Sequence, residues 1–216
     1  MKSSSKNQGT AALRKAMVEI CHRLAAKGFV SAMDGNVSAR LPDGNILTTR
    51  TNVDKSLVAP TDLVVVDIHG RLVRGKHRPS TELPMHLFIY NKRKDAGAVV
   101  HAHPPFATAF AAARIPFPSN VFPEVILGLG YVPLADYATP ATEEIPKSLA
   151  PHIEKSSAIL LANHGAVTLG KDLWQAYYRM EKLEHAARTL LYARLLGGEK
   201  RLSELDLQKL LATHPK

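Results

Sequence analysis

The stretch Ala98-Val99-Val100-His101-Ala102-His103-Pro104 constrains this chain more than any other. Its β-branched and small apolar residues read as a short buried strand. Side chains alternate faces along a strand, so His101 and His103 share one face with the small Ala102 between them. Strand rise separates their Cα atoms by about 6.5–7 Å, a spacing at which two imidazoles can converge on one ion. Pro104 has no N–H to donate and stops the ladder. The pair therefore sits at a strand end, where a cleft can open.

The rest of the chain supplies partners for that strand. Leu13, Met17, Ile20 and Leu24 fall at helical spacing, which predicts a helix over about 10–27 ended by Gly28. Cys21 is read as a small core residue within it and His22 as solvated. Gly35 marks a tight turn before a short strand. Pro42-Asp43-Gly44-Asn45 is a hairpin turn by composition, with a return strand at Ile46 to Thr49. A second hairpin, Leu63 to Asp67 and Arg71 to Val73, turns at His69-Gly70. Pro79-Ser80-Thr81-Glu82 opens a helix that Ser80 or Thr81 can cap. Leu83, Leu87 and Tyr90 form its inner stripe, with His86 beside it as a packed core histidine. Phe106 to Ala113 is a small-residue helix and Val121 to Leu129 a strand-like segment. A helix is expected from Thr142 to Lys155, then a buried strand at Ser157 to Leu161, and a second run at Ala166 to Leu169. A long helix over about 173–196 ends at Gly197-Gly198, and a short one covers about 203–211. Early hairpins with helices on the outside predict one α/β domain around a mixed, mostly antiparallel sheet.

With 216 residues the chain suits one sizeable domain, expected at 11–216. Residues 1–10 are polar, lack the apolar core of a signal peptide and read as a loose tail. A hydrophobic fraction of 45% and a charged fraction of 22% are those of a soluble globular protein. No run approaches the roughly 18 apolar residues of a membrane span. The single cysteine excludes an intramolecular disulfide, and together these features favour the cytoplasm. The formal charge of +9 comes from scattered Lys and Arg without aromatic interleaving. Its densest cluster, Lys92-Arg93-Lys94, ends a helix, where the dipole favours cations. This argues for an anionic small substrate rather than nucleic acid.

His164, in Asn163-His164-Gly165, also lies where a buried strand gives way to a glycine. Three imidazoles with an open fourth position form a common catalytic zinc site. Glu82, at a helix start shortly before the His101 strand, can face the same cleft. Gly35-Asn36-Val37-Ser38, Pro79-Ser80-Thr81-Glu82, His101-Ala102-His103-Pro104 and Asn163-His164-Gly165, in this order, resemble the class II aldolase/adducin family. The resemblance covers about residues 13–196.

That resemblance implies a metal-dependent aldolase, a lyase that cleaves a short ketose phosphate to dihydroxyacetone phosphate and an aldehyde. It implies Zn²⁺, with Mn²⁺ or Co²⁺ as alternatives, on His101, His103 and His164, stabilising an enediolate. It makes Glu82 the acid/base, and the dry pocket suggests that its pKa rises on release from the metal. It places the substrate phosphate against backbone N–H groups and small hydroxyls at Gly35, Asn36, Thr51, Ser80 and Thr81. It further implies an α/β/α sandwich, a central antiparallel sheet between helix layers, and a homotetramer with active sites near subunit interfaces. A 4-epimerase or a decarboxylase of a related sugar acid phosphate uses the same kind of site, and an adducin-like association domain is the non-catalytic alternative. Two departures stand out. The loop after the second strand reads Thr49-Arg50-Thr51-Asn52 where many members carry Thr-Pro-Thr/Ser-Gly, so Arg50 is expected to hold an anionic group of the substrate. The tyrosine that the aldolases take from a neighbouring subunit has no clear match near Phe122-Pro123-Glu124 or after Arg194.

Overall fold

The computed structural model describes the backbone of residues 2–213 and the side chains of residues 10–213. Eight strands form one sheet in the order β4-β3-β2-β1-β5-β8-β7-β6. They are β1 (Asn36–Arg40), β2 (Ile46–Thr49), β3 (Leu63–Val66), β4 (Leu72–Arg74), β5 (Ala98–Ala102), β6 (Leu134–Ala135), β7 (Ala158–Leu161) and β8 (Gly165–Gly170). Every neighbouring pair is antiparallel except β6 with β7. The histidine strand β5 thus lies inside the sheet, between β1 and β8.

Alternation along the strands builds two apolar layers. Val37, Ala39, Val100, Ala102, Leu160 and Ala166 pack with α1 (Lys2–Ala26), α3 (Pro105–Ala112), α4 (Pro123–Gly128) and α6 (Leu173–Leu195). Val99, Ile159, Val167 and Leu169 pack on the other face with α2 (Leu83–Lys92) and α5 (Glu144–Leu149). Met85 and Ile89 of α2 are buried there, each stabilising the layer by about 1.5–3 kcal/mol. The expected α/β/α sandwich is therefore present. A last helix, α7 (Glu204–Thr213), buries no side chain. No helix among the described residues is long and apolar enough to cross a membrane.

The helix starts explain how the layers are pinned. The Asp172 carboxylate accepts from the Gln175 amide at 2.8 Å, and the Gln175 side chain accepts from the Lys171 amide at 2.8 Å. The first bond satisfies a donor that the first turn of α6 leaves open, and the second ties the residue before the cap to that turn. Cys21 is buried in the core, and burial pushes its thiol up to about 12.

Several elements differ from the sequence expectation. Helical backbone continues up to Lys2, where a loose tail was expected; no proline interrupts those residues, and Met1 lies outside the described residues. The apolar run 121–129 is not a strand. Pro123 and Glu124 suit a first helical turn, and α4 forms there with Val125 buried. The helix expected over 142–155 is the shorter α5 (Glu144–Leu149), followed by turns around Pro151. Glu82, rather than Ser80 or Thr81, occupies the position before α2, while the Ser80 hydroxyl accepts from the Glu82 amide at 3.3 Å.

Candidate metal centre

Three elements deliver the candidate ligands to one place. His101 is on β5, paired with Asn36 of β1 and Val167 of β8, so its backbone is held from both sides. His103 lies just past the strand end, with its amide donating to the Phe29 carbonyl at 2.8 Å. His164 sits in the tight β7–β8 turn, after Asn163 in the left-handed region at φ 57°. Gly165 follows because a Cβ there would lie 2.6 Å from both the Ala102 carbonyl oxygen and the His103 ring.

Ligand-type nitrogens of the three histidines all lie within 4.8 Å of one another. His101 Nε2 is 3.1 Å from His103 Nε2. Glu82 Oε2 is 3.2 Å from His101 Nε2, and Glu82 Oε1 is 3.3 Å from His164 Nε2. A tetrahedron built on bonds of about 2.0–2.1 Å has edges of about 3.3 Å, so these separations fit a divalent ion such as zinc. His101 Nδ1 donates to the Ala166 carbonyl at 3.0 Å, which turns the lone pair of Nε2 inward. Facing lone pairs on His101 and His103 repel unless a proton or a cation lies between them. The residues present fit a metal ion on this donor chemistry.

The electrostatics agree. Burial alone would raise the Glu82 pKa, but His101 and His164 outweigh it and hold the carboxylate well below its ordinary range. The rise expected on release concerns a carboxylate that has left the imidazoles, and here Glu82 lies against them. Burial works against a charged His101, yet Glu82 overcomes it and raises that pKa. Burial, with His101 and His164 adding to it, pushes His103 down to about 4. Close-packed rings cannot all carry protons, and a resident cation would take their place.

Of the residues expected to bind phosphate, Asn36 turns instead to Glu82, donating from Nδ2 to Oε2 at 2.8 Å. Gly35 touches the strand so closely that a Cβ would lie 2.8 Å from the His101 carbonyl oxygen. The Thr51 amide donates to Arg78 and the Ser80 amide to Thr49, so neither N–H is free for an anion. What remains there is the hydroxyls of Thr51 and Ser80 together with Thr81. Asn52 adopts φ 52°, so the turn that relatives build with glycine survives. Arg50 is not free either. Its Nε donates to Asp62 at 2.7 Å, and its Nη1 donates to the carbonyls of Thr51 and Asn52 at 3.1 and 2.9 Å. Only Nη2 lacks a hydrogen-bond partner among the described residues.

Two contributors were not expected. Asp34 Oδ2 stands 3.5 Å from His103 Nδ1, an electrostatic contact rather than a hydrogen bond; its place beside Gly35 was the only hint. Glu184 on α6 accepts from the Phe106 and Ala107 amides at 2.9 and 2.8 Å, fixing the helix that follows His103-Pro104. Nothing local in the sequence marks it. A cavity of about 660 Å³ opens near Glu184, lined by Lys27, Phe106, Tyr178 and Arg188 among others, and contains none of the candidate ligands. Ligand convergence, not cavity size, locates the centre.

Residues 15–191 match the family described as Class II Aldolase and Adducin N-terminal domain. An L-fuculose phosphate aldolase of Methanococcus maripaludis is 36% identical over 172 residues, 79% of this chain and 92% of its own length. A 3-oxo-tetronate 4-phosphate decarboxylase of Escherichia coli is 35% identical, covering 82% of this chain and 85% of its own. The crystal structure of YgbL from Klebsiella pneumoniae superposes with a TM-score of 0.86 at 31% identity, covering 93% of this chain and 98% of that one.

Proposed function

The chain belongs to the class II aldolase and adducin family, and from that premise we propose that it is a metal-dependent lyase cleaving a short ketose phosphate to dihydroxyacetone phosphate and an aldehyde. The observation that carries this reading is Glu82 set at 3.2 and 3.3 Å from two of three convergent imidazoles, with Asn36 donating to the oxygen that faces His101. A divalent ion on His101, His103 and His164, read as Zn²⁺, would supply a Lewis acid that offsets negative charge developing on the substrate oxygens.

The chain's own groups do the rest. The substrate gives up a hydroxyl proton as the aldehyde forms, and the carbon left behind must gain one. Glu82 is the group placed to carry that proton, a role worth about 10²–10⁴-fold in rate. Thr51, Ser80 and Thr81 present hydroxyls at the start of α2, where a phosphate also meets the positive end of the helix. Arg50 Nη2 is the remaining cationic donor of that loop, and its bond to Asp62 leaves it a supporting rather than a leading part. The reading includes a homotetramer with active sites near subunit interfaces.

A second reading, decarboxylation of a 3-oxo sugar acid phosphate, is favoured by one observation. No tyrosine stands at Phe122-Pro123-Glu124, and departing carbon dioxide needs no acid or base on the leaving fragment, whereas an aldehyde does. Glu82 would protonate the remaining carbon in either case. Zinc-loaded protein offered ketose 1-phosphates and 3-oxo acid 4-phosphates, with products read by mass in D₂O, separates the two. Aldehyde with singly deuterated dihydroxyacetone phosphate supports the first, and carbon dioxide with a deuterated ketone phosphate the second.

A further inference from the structure

Behind the metal centre lies a buried polar chain that the proposed chemistry does not yet use. Asn36 and Ser38 are two apart on β1 and face α2 together, Asn36 meeting Glu82 at 2.8 Å and Ser38 meeting His86 at 2.6 Å. Glu82 and His86 are four apart at the start of α2, so the two contacts are rungs one helical turn apart. Ser38 Oγ also lies 2.9 Å from the Tyr90 hydroxyl. The Val99 amide acts on the Tyr90 oxygen and favours it as an acceptor, and we assign the Tyr90 hydrogen to Ser38. Ser38 then donates its single hydrogen to His86 Nδ1, which leaves the imidazole hydrogen on Nε2. Among the described residues that Nε2 is buried without a hydrogen-bond partner, in a residue only 1% exposed. Burial, with the charge of His101 adding to it, pushes the His86 pKa down to about 3, so the ring is neutral near pH 7.

Helical side chains lean toward the N-terminus, so His86 leans over the turn that Glu82 begins. A buried donor without an acceptor is costly, and the Glu82 carboxylate, whose charge acts on His86, stands one helical turn away in that direction. We propose that His86 is a positioning residue whose Nε2–H receives the Glu82 carboxylate when it gives up its contacts with His101 and His164. This rests on the acid/base reading of Glu82. In that role His86 holds the carboxylate at a second, defined station instead of letting it swing freely into the cleft.

Two measurements test it. Imidazole ¹⁵N spectra of the whole chain should show His86 as the Nε2–H form, with that hydrogen moving downfield when Zn²⁺, or Zn²⁺ with dihydroxyacetone phosphate, is added. In Glu82→Gln it should stay still. An Nδ1–H form, or no movement at either addition, overturns the proposal. Kinetically, a glutamine amide reaches the place of Nε2 and an asparagine amide that of Nδ1. His86→Gln should therefore keep most of the turnover, while His86→Asn, which retains the Ser38 contact, should lose about 10–100-fold in kcat with KM and metal content held. The reverse order would make His86 a packing residue for Ser38. Should the wild type cleave none of the substrates, the proposed reaction fails, and the zinc-dependent shift still decides the His86 station.

Discussion

Gly35→Ala is expected to damage the metal centre although residue 35 touches no metal. Gly35 has φ +71°, where an L-residue is strained by about 1–2 kcal/mol. Gly28 has φ +67° at the end of α1, and a Cβ there meets nothing within 4 Å. Gly28→Ala therefore isolates the backbone term. At Gly35 a Cβ would also lie 2.6 Å from a Val30 methyl and 2.8 Å from the His101 carbonyl oxygen. The methyl can move, but the carbonyl belongs to a strand paired on both sides and cannot retreat without breaking a ladder. Overpacking of this kind adds about 1–3 kcal/mol. Gly35→Ala should thus lose about 2–5 kcal/mol in urea unfolding of the metal-free protein, against about 1–2 kcal/mol for Gly28→Ala. Because His101 must shift, zinc affinity by chelator competition should fall about 10–100-fold in Gly35→Ala alone. Equal losses in the two variants, with zinc affinity intact in both, would refute the close-approach argument.

Other outcomes follow from the same geometry. Glu82→Gln should fold and bind metal while losing about 10²–10⁴-fold in kcat, measured at saturating zinc; near wild-type turnover would reduce Glu82 to a helix-start residue. Asp62→Asn should unlatch the Arg50 loop and raise KM for a phosphorylated substrate without changing metal content. The Arg50 and Ala59 hydrogen bonds hold the Asp62 pKa below its ordinary 3.8, so its stabilisation is complete above that pH and fades as pH falls through the folded value, a loss that acid titration of Asp62→Asn should lack. Glu184→Ala strands one buried and one part-buried amide and should cost about 1–3 kcal/mol in thermal or urea unfolding, with Glu184→Gln milder because its amide oxygen still accepts.

Much of this was legible in the residues. Alternation around His101 and the glycine after His164 foretold the strands and the sites at their ends, helical spacing foretold α1, α2 and α6, and small-residue composition foretold α3. What escaped was of two kinds. Short apolar runs are ambiguous, so 121–129 read as a strand until Pro123 and Glu124 are weighed as a first helical turn. Long-range polar contacts carry no local mark. Glu184 caps α3 from 77 residues away, and Ser38 reaches His86 across 48. Arg50 looked like a free cation because its partner Asp62 arrives only when β2 and β3 pair.

The most direct test of the central claim is product analysis with zinc-loaded wild type and Glu82→Gln, run in D₂O on matched ketose 1-phosphates and 3-oxo acid 4-phosphates. The account predicts carbon–carbon cleavage of a ketose phosphate by the wild type, with one deuteron on the new product carbon, abolished by chelation and strongly reduced in Glu82→Gln. Cleavage that persists at the wild-type rate in the metal-free protein or in Glu82→Gln would contradict it.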